Sequence, residues 1–287
     1  MSAILETTSV PGVSSRAETR TDRHPEIESS KRLAHKVAVI TGGSMGMGLA
    51  TAKRFVREGM DHVFITGRRK AALDAAVSEV GEKATGISGD VASPSDLDRL
   101  YESVKAYGRK IDVLFANAGI AQPAPFGTVE EKFYDLHFDA NVKGLFFAVQ
   151  KALPLLNDGG SIILTASIAT VKGFPRISVY SATKAAVRSF VRTWTNELRE
   201  RRIRVNAISP GHIDTPIFEG WQQGEALAKM KDDLAKSVPL GRLGDRTKSP
   251  ELSLFSRRMT RVTSRALNSS SMAAWPKSDG NGERSTS

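Results

Sequence analysis

Three features of the sequence predict an α/β protein built on one doubly wound parallel sheet. Between Lys36 and about Ile208, short β-branched runs alternate with longer amphipathic runs, which is the pattern of strands joined by crossover helices. The strand runs are apolar throughout, so we expect helices on both faces of the sheet. A glycine-rich turn also follows the first strand and opens the first helix, as it does in nucleotide-binding sheets of this kind.

The elements are predicted in the following order. The strands are KVAVIT (36–41), HVFIT (62–66), ATGIS (84–88), IDVLFA (111–116), SIILTA (161–166) and IRVNAI (203–208). Amphipathic segments such as MGLATAKRFVREG and SDLDRLYESVKAYG separate them and are predicted as helices. We expect one domain over residues 34–245, with a substrate loop at about 211–238. A polar, disordered extension is expected over residues 1–33.

Composition excludes several classes of protein. The chain of 287 residues has no cysteine, so a disulfide framework and a thiolate metal site are both excluded. No cluster of His, Asp and Glu has metal-ligand spacing, and no apolar run approaches the roughly 18 residues that span a bilayer. The first 30 residues lack an apolar core and carry five acidic residues, which argues against a secretory or mitochondrial leader. We therefore expect a cytoplasmic protein with no membrane partner and no metal.

The net charge of +10 raises the question of nucleic-acid binding. Residues 246–287 hold eight basic and three acidic residues, so half of the excess lies in this last segment. No basic stripe interleaved with aromatic residues occurs in the rest of the chain. We expect no nucleic-acid partner.

The first glycine-rich turn, TGGSMGMG at 41–48, is a candidate dinucleotide site. Positions without side chains let backbone N–H groups approach a pyrophosphate, which is also favoured by the positive end of the helix. The candidate cofactor-binding residues are Gly42, Ser44, Met45, Gly46, Met47 and Gly48. A glycine-rich turn without a ligand is the alternative.

The end of the second strand indicates which dinucleotide binds. An NAD site carries an acid there, which bonds the ribose 2′-hydroxyl. In this chain HVFIT is followed by Gly67, Arg68, Arg69 and Lys70, and a guanidinium suits a 2′-phosphate. We predict NADP(H), with Arg68 as the contact. Lys70 is interpreted as a solvated residue, and the role of Arg69 is left open.

The stretch YSATK, residues 180–184, places a phenol and an amine four residues apart in a predicted helix. Residues at i and i+4 share a helix face, so Tyr180 and Lys184 are neighbours. A free tyrosine titrates near 10, and a nearby cation is expected to lower that pKa and make the phenol a useful acid–base group. A surface lysine beside a packing tyrosine is the alternative.

In combination these motifs resemble the classical short-chain dehydrogenase/reductase family, from about Lys36 to Asp245. The matching motifs are TGGSMGMG (41–48), GDV (89–91), NAG (117–119), Asn141 in NVKG, Ser167 after the fifth strand, YSATK (180–184) and PGHIDT (210–215). The resemblance implies a Rossmann-type fold, a nicotinamide cofactor, a small ketone or alcohol as substrate, and a homodimer or homotetramer.

The resemblance also implies roles for single residues. Ser167 is expected to donate a hydrogen bond to the substrate oxygen, Lys184 to bind the nicotinamide ribose, and Asn141 to hold a water that connects Lys184 to solvent. Asp90, Val91, Asn117, Ala118, Gly119, Pro210, Gly211, Ile213 and Thr215 are expected to contact the dinucleotide. A turn serine and a helix asparagine bonded to its own backbone are the alternatives for Ser167 and Asn141. Many NADP(H)-preferring members carry a basic residue where this chain has Met45, so NAD(H) is the alternative cofactor.

The substrate is expected to contact the segment 211–238 and the loop 121–128. Phe174, Phe218 and Trp221 are candidates for an apolar lining or for packing. His212 is the histidine that we expect nearest the substrate.

The segment 246–287 departs from the family, in which a helix, a seventh strand and a closing D-G-G follow. A shift of one base, with free choice of synonymous codons, lets PDEIARAVSFLASDDS be read through residues 246–261, and YVTG and ELFVDGGMAQ through residues 262–277. We hypothesise a frameshift just after Asp245, which replaces the last strand and helix by a disordered basic tail. Such a chain is expected to be unstable or inactive.

The sequence therefore predicts an oxidoreductase that interconverts a carbonyl compound and an alcohol with NADP(H). A non-catalytic dinucleotide-binding protein and an inactive or unstable product of the same fold are the alternatives. The catalytic residues are predicted to be Ser167, Tyr180, Lys184 and Asn141.

Overall fold

Six parallel strands form the central sheet of the computed structural model, which describes residues 33–247. They are β1 (Val37–Thr41), β2 (His62–Gly67), β3 (Ala84–Ser88), β4 (Ile111–Ala116), β5 (Leu156–Thr165) and β6 (Arg204–Ile208). Their order across the sheet is β3-β2-β1-β4-β5-β6, so the direction of winding reverses between β1 and β4. This arrangement confirms the predicted doubly wound sheet. The predicted N-terminal extension and C-terminal tail lie outside the described residues, apart from their inner ends.

Helices follow the strands in the alternation that the sequence predicts. They are α1 (Gly46–Arg57), α2 (Lys70–Val80), α3 (Pro94–Ala106), α4 (Glu131–Phe138), α5 (Leu145–Ala152), α6 (Ser178–Glu197) and α7 (Gly224–Lys236). A π-helical segment, Asp139–Gly144, joins α4 to α5. Short 3₁₀ turns occur at Phe126–Thr128, Leu153–Leu155, Ile168–Thr170 and Pro216–Gly220. No helix within residues 33–247 is both long enough and apolar enough to cross a membrane.

Each face of the sheet has its own hydrophobic core, because successive strand residues point to opposite sides. Val39 belongs to the cluster with α3, α5 and α6, whereas the neighbouring Ile40 belongs to the cluster with α1 and α2. Phe115 in β4 is completely buried in the second cluster. Burial of one such side chain contributes about 2–3 kcal/mol, so the two clusters fix the sheet that positions the strand ends.

The fifth strand is longer than the sequence predicts. β5 begins at Leu156, which pairs with Ile111, and the register shifts before Ser161 pairs with Val113. The intervening Asp-Gly-Gly at 158–160 has the composition of a turn, which is why the prediction began at Ser161. The other strands begin and end within one residue of their predicted bounds.

One edge of the sheet is formed by β6. Among the described residues β6 pairs only with β5. A separate two-residue parallel pair joins β7 (Ile213–Asp214) to β8 (Gly244–Asp245). This pair attaches the segment that follows α7 to the end of the loop after β6.

Candidate active site

The turn between β1 and α1 packs so closely against neighbouring backbone that Gly42 and Gly48 leave no room for a side chain. Gly42 has φ +66°, and a Cβ atom added to it would lie 2.8 Å from Ala118 Cα. A Cβ atom added to Gly48 would lie 2.2 Å from the Gly42 oxygen. The first turn of α1 carries no acidic residue and no side-chain cap at Met45. These features fit the pyrophosphate of a dinucleotide, which needs free N–H groups and close backbone approach.

The ends of β1 and β4 are joined by side chains next to this turn. Asn117 Nδ2 donates to the oxygens of Thr41 (3.2 Å) and Gly42 (3.1 Å). The Asn117 and Ala118 amides both donate to Thr41 Oγ1 at 3.1 Å. Asn117 therefore holds the first glycine turn against the crevice at which the strand order reverses.

Charged residues follow β2 and β3 at the far end of the same crevice. Arg68 Nη1 lies 3.6 Å from Asp90 Oδ2, and both side chains are substantially exposed. Arg69 Nη2 lies 3.8 Å from Met45 Sδ, so its guanidinium reaches back over the glycine turn. A Cβ atom added to Gly67 would lie 2.6 Å from Ser44 Oγ, which places that hydroxyl at the end of β2.

Other predicted cofactor residues lie around this crevice. Val91, beside Asp90, is buried. Met47 lies in the first turn of α1, where its oxygen accepts from Thr51 Oγ1 (2.7 Å). A Cβ atom added to Gly46 would lie 3.5 Å from Thr215 Cγ2, so Thr215 faces the glycine turn from the other side.

Ser167, Tyr180 and Lys184 come together beyond the end of β5. Tyr180 and Lys184 share one face of α6, and the Lys184 nitrogen lies 5.7 Å from the centre of the Tyr180 ring. Lys184 is buried and donates to the Thr165 oxygen (2.8 Å). Ser167 Oγ accepts from the Ala169 amide (3.1 Å), which leaves its proton for the phenol or for a substrate.

The pKa of Tyr180 differs from the sequence-based prediction. Burial raises the pKa of the phenol above its ordinary value, and the hydrogen bond from Ser167 lowers it only in part. Burial also lowers the pKa of Lys184 to about 8, because the amine has few polar neighbours to replace water. The net shift of the Tyr180 pKa is opposite to the predicted one, because desolvation of the phenol outweighs the hydrogen bond from Ser167.

Asn141 lies beneath this group, in the π-helical segment. It is completely buried, and its Oδ1 accepts from the Ile120 amide (2.8 Å) while its Nδ2 donates to the Ile120 oxygen (2.9 Å) and to Thr183 Oγ1 (3.1 Å). A Cβ atom added to Gly119 would lie 2.9 Å from Asn141 Oδ1 and 3.4 Å from the Lys184 nitrogen. Asn141 is therefore bonded across to another loop rather than to its own helix.

Thr183 is a residue of this site that the sequence analysis missed. Its hydroxyl accepts from Asn141 Nδ2 and donates to the backbone carbonyl oxygen of Tyr180 (2.7 Å), so it links the asparagine to the helix that carries the phenol. Thr183 is part of YSATK itself, but its partner is 42 residues away. Sequence spacing within the motif could not identify that partner.

Loops from separate parts of the chain meet above Ser167, Tyr180 and Lys184. The Trp221 indole N–H donates to the Ala121 oxygen, and the Ala124 amide donates to the Arg176 oxygen (2.7 Å). The Ile168 amide donates to the Pro210 oxygen (3.1 Å). These bonds connect the loop after β4 to the segments before α6 and after β6.

The aromatic candidates have different surroundings. Phe218 is buried and contacts Trp221 edge-on, which supports a packing role. Phe174 contacts the His212 ring edge-on at 5.6 Å. Burial and the nearby Lys172 lower the pKa of His212, so its imidazole is neutral at pH 7. A Cβ atom added to Gly211 would lie 3.7 Å from Ile168 Cδ1.

Within residues 33–247, no group of three or more His, Asp or Glu side chains could hold a metal ion. The buried His137 instead accepts from the Gln122 amide at Nε2 (3.1 Å) and contacts the Phe133 oxygen through Nδ1 (2.8 Å). This histidine supports the loop after β4.

Comparisons with known proteins agree with this arrangement. The family model for short chain dehydrogenase matches residues 36–226. The oxidoreductase asL5 of Sarocladium schorii is 45% identical over 216 residues, which cover 75% of this chain and 85% of the relative. The tetrahydroxynaphthalene reductase PfmaG of Pestalotiopsis fici is 34% identical over 233 residues, covering 77% and 84%. A crystal structure of a 3-ketoacyl-(acyl-carrier-protein) reductase from Brucella melitensis, complexed with NADH, has a TM-score of 0.70 at 30% identity, covering 78% of this chain and 90% of that chain.

Proposed function

The chain belongs to the short-chain dehydrogenase family, and we propose that it interconverts a carbonyl compound and its alcohol with NADP(H), using Tyr180 as the acid–base residue. The observation that supports this most is the meeting of Ser167, Tyr180 and buried Lys184 next to the glycine-rich turn, where the start of α1 has no side-chain cap and no acidic residue. A bound nicotinamide dinucleotide would supply or accept the hydride. The rest of the chemistry belongs to side chains of this chain.

Tyr180 acts as the proton donor when a ketone is reduced. The alkoxide that forms needs a proton, and a phenol whose pKa is raised by burial is fully protonated at pH 7. In the opposite direction the same oxygen must accept a proton from the alcohol. That direction requires a lower pKa, which the hydrogen bond from Ser167 favours and which a fully charged Lys184 would favour further.

Ser167 and Asn141 hold the reacting group and its support in place. The Ser167 hydroxyl is buried and bonds to the phenol when no substrate is bound. When a substrate binds, the same proton is donated to the substrate oxygen, which orients the carbonyl for proton transfer. Asn141 fixes the loop at Ile120 through two hydrogen bonds. This keeps Gly119 close to the Lys184 nitrogen, where the nicotinamide ribose and a connecting water are expected.

Residues of the crevice favour NADP(H) over NAD(H). No acid follows β2, and the exposed Arg68 guanidinium lies where an acid would meet the 2′-hydroxyl. Arg69, which the sequence analysis left open, extends toward Met45 and so supplies a cation above the glycine turn. Asp90 opposes this preference, because its carboxylate lies 3.6 Å from Arg68 and competes with a phosphate for it.

The assay that tests the proposal uses the full chain, both dinucleotides and a panel of ketones and alcohols. The panel includes a hydroxynaphthalene and a 3-oxoacyl thioester, because reductases named for these substrates are among the similar proteins. We expect NADPH-dependent reduction of at least one ketone. Loss of the phenolic oxygen in Tyr180→Phe should lower kcat at least about a hundredfold, while Tyr134→Phe, which changes an exposed tyrosine of α4, should leave it unchanged.

The same assay separates the alternatives. A protein that binds NADPH but turns over nothing in the panel would be a dinucleotide-binding protein without catalysis. A chain that neither binds nor folds would be the inactive product considered above. Equal activity of Tyr180→Phe and the unchanged chain would contradict the assignment of Tyr180.

A further inference from the structure

Arg188 connects the helix that carries the phenol to the turn that carries the serine. It lies one helical turn beyond Lys184 on α6, and its Nη1 donates to Thr170 Oγ1 (3.1 Å). The Thr170 hydroxyl in turn donates to the backbone carbonyl oxygen of Ser167 (2.8 Å). A continuous hydrogen-bonded path therefore runs from Arg188 to the backbone of Ser167.

The other side of the same turn is held by Lys184. Its nitrogen donates to the Thr165 oxygen, two residues before Ser167, whereas Arg188 acts on Thr170, three residues after it. Ser167 itself is extended, with φ −165° and ψ 156°, and its side chain accepts from the Ala169 amide. Two cations, one helical turn apart, thus hold both ends of the segment 165–170 against α6.

Within residues 33–247 the Arg188 guanidinium donates its hydrogen bond to the Thr170 hydroxyl. The side chain is half-buried, and within residues 33–247 it forms no ion pair with a carboxylate. Its hydrogen-bond partner is instead the neutral hydroxyl of Thr170, which donates to the backbone carbonyl oxygen of Ser167.

We propose that Arg188, acting through Thr170, is a positioning residue that sets the Ser167 hydroxyl at the correct distance from the Tyr180 phenol. The inference rests on the proposed oxidoreductase function. It assigns Arg188 no contact with substrate or dinucleotide. An error of about 1 Å in the placement of a catalytic group can lower a rate as much as a hundredfold, so a residue two contacts away can affect the reaction.

The experiment compares Arg188→Met, Thr170→Val and the double variant with the unchanged full chain. We expect each single variant to lower kcat about tenfold with little change in the KM for NADPH, and the double variant to lose little more, because the two residues act through one path. Because Ser167 lowers the pKa of Tyr180, a misplaced serine should also move the pH profile of alcohol oxidation to higher pH. Arg188→Lys, which keeps one donor, should recover part of the rate.

A control and a second readout keep the two proposals distinguishable. Arg192→Met alters an exposed arginine one turn further along α6 and should change none of these quantities. Amide hydrogen exchange of the dinucleotide-free protein reports the turn directly, since the Ala169 and Thr170 amides bond to Ser167; both should exchange faster in Arg188→Met.

Unchanged exchange in Arg188→Met would overturn the inference, whether or not the chain is an active reductase. Faster exchange with an unchanged kcat and pH profile would also overturn it, because Arg188 would then be a structural contact only. Absence of any turnover by the unchanged chain would refute the proposed function. It would also refute the claim that the hydrogen bonds from Arg188 through Thr170 to Ser167 affect catalysis. The exchange data would still show whether the path exists.

Discussion

Burial of the Lys184 amine lowers the stability of the folded protein. Its amine is buried, bonds to the Thr165 oxygen and has a pKa lowered by burial to about 8. The unfolded chain, by contrast, titrates at the ordinary value of 10.5. Between those two values the unfolded state binds more protons than the folded state, so stability rises with pH across this window. Below pH 8 the lysine is charged in both states and the full cost is present.

We predict that Lys184→Met is more stable than the unchanged chain at pH 7 and inactive. A pKa lowered from 10.5 to about 8 means that burying the charged lysine costs roughly 3 kcal/mol, which the methionine avoids. Loss of the hydrogen bond to Thr165 destabilises the variant by about 1 kcal/mol. The expected net gain in the free energy of unfolding is therefore about 2 kcal/mol. The gain should shrink as the pH rises above 8 and become a loss of about 1 kcal/mol above pH 10.5, where only the missing bond to Thr165 remains. Denaturant unfolding at both pH values measures it, with Lys143→Met, an exposed residue paired with Asp139, as the control. A less stable Lys184→Met at pH 7 would contradict the account.

At the scale of elements, the turn from β1 to α1 depends on the absence of side chains. Gly48 stands in the first full turn of α1, and its Cα hydrogen points at the oxygen of Gly42. The loop can keep its narrow path only while this contact remains free of a Cβ atom. Asn117 holds the same path from β4.

We predict that Gly48→Ala weakens binding of NADPH at least about tenfold, or by about 1.4 kcal/mol, since the added methyl group must displace the backbone that would meet the pyrophosphate. Titration of the protein with NADPH, followed by fluorescence or calorimetry, measures the affinity. Gly127→Ala is the matched control, because a Cβ atom there meets nothing within 4 Å. Equal affinities of Gly48→Ala and Gly127→Ala would refute the expected crowding.

The sequence predicts these elements better than it predicts their contacts. The apolar runs and the glycine pattern predict the sheet, the turn between β1 and α1, and the helix that carries Tyr180. The sequence does not predict the π-helical segment around Asn141, because the same residues also suit an α-helix. The predicted direction of the Tyr180 pKa shift is wrong because the i, i+4 spacing reveals Lys184 but says nothing about the burial of the phenol. The contact between Arg188 and Thr170 depends on how α6 packs on the end of β5, which no local pattern contains.

At the scale of the molecule, the sheet ends at a strand whose outer side has no described partner. β6 carries Val205 and Ile208, both buried, yet its outer hydrogen-bonding groups meet no other strand within residues 33–247. An open edge of this kind favours pairing between copies and aggregation. The hypothesis of a shifted reading frame after Asp245 is in accord with this edge, since the family places its last strand after that point.

We predict that a chain carrying the second reading frame from residue 246 onward is more stable and more soluble than the 287-residue chain. The added strand would pair with the outer edge of β6, which has no partner strand among residues 33–247, and would cover apolar side chains. Thermal unfolding and light scattering of the two chains measure the difference, and the coding DNA shows whether a single-base change connects the frames. Equal melting temperatures and equal turnover would refute the prediction.

The bonds between the loops above Ser167 have a consequence for protein engineering. Trp221 bonds to Ala121, Ala124 bonds to Arg176, and Pro210 bonds to Ile168, so the region above Ser167 is assembled from three segments: those after β4, between β5 and α6, and after β6. A graft that replaces one segment by that of another enzyme would break its hydrogen bonds to the other two. Altering which molecules enter will therefore require all three segments to be exchanged as one set.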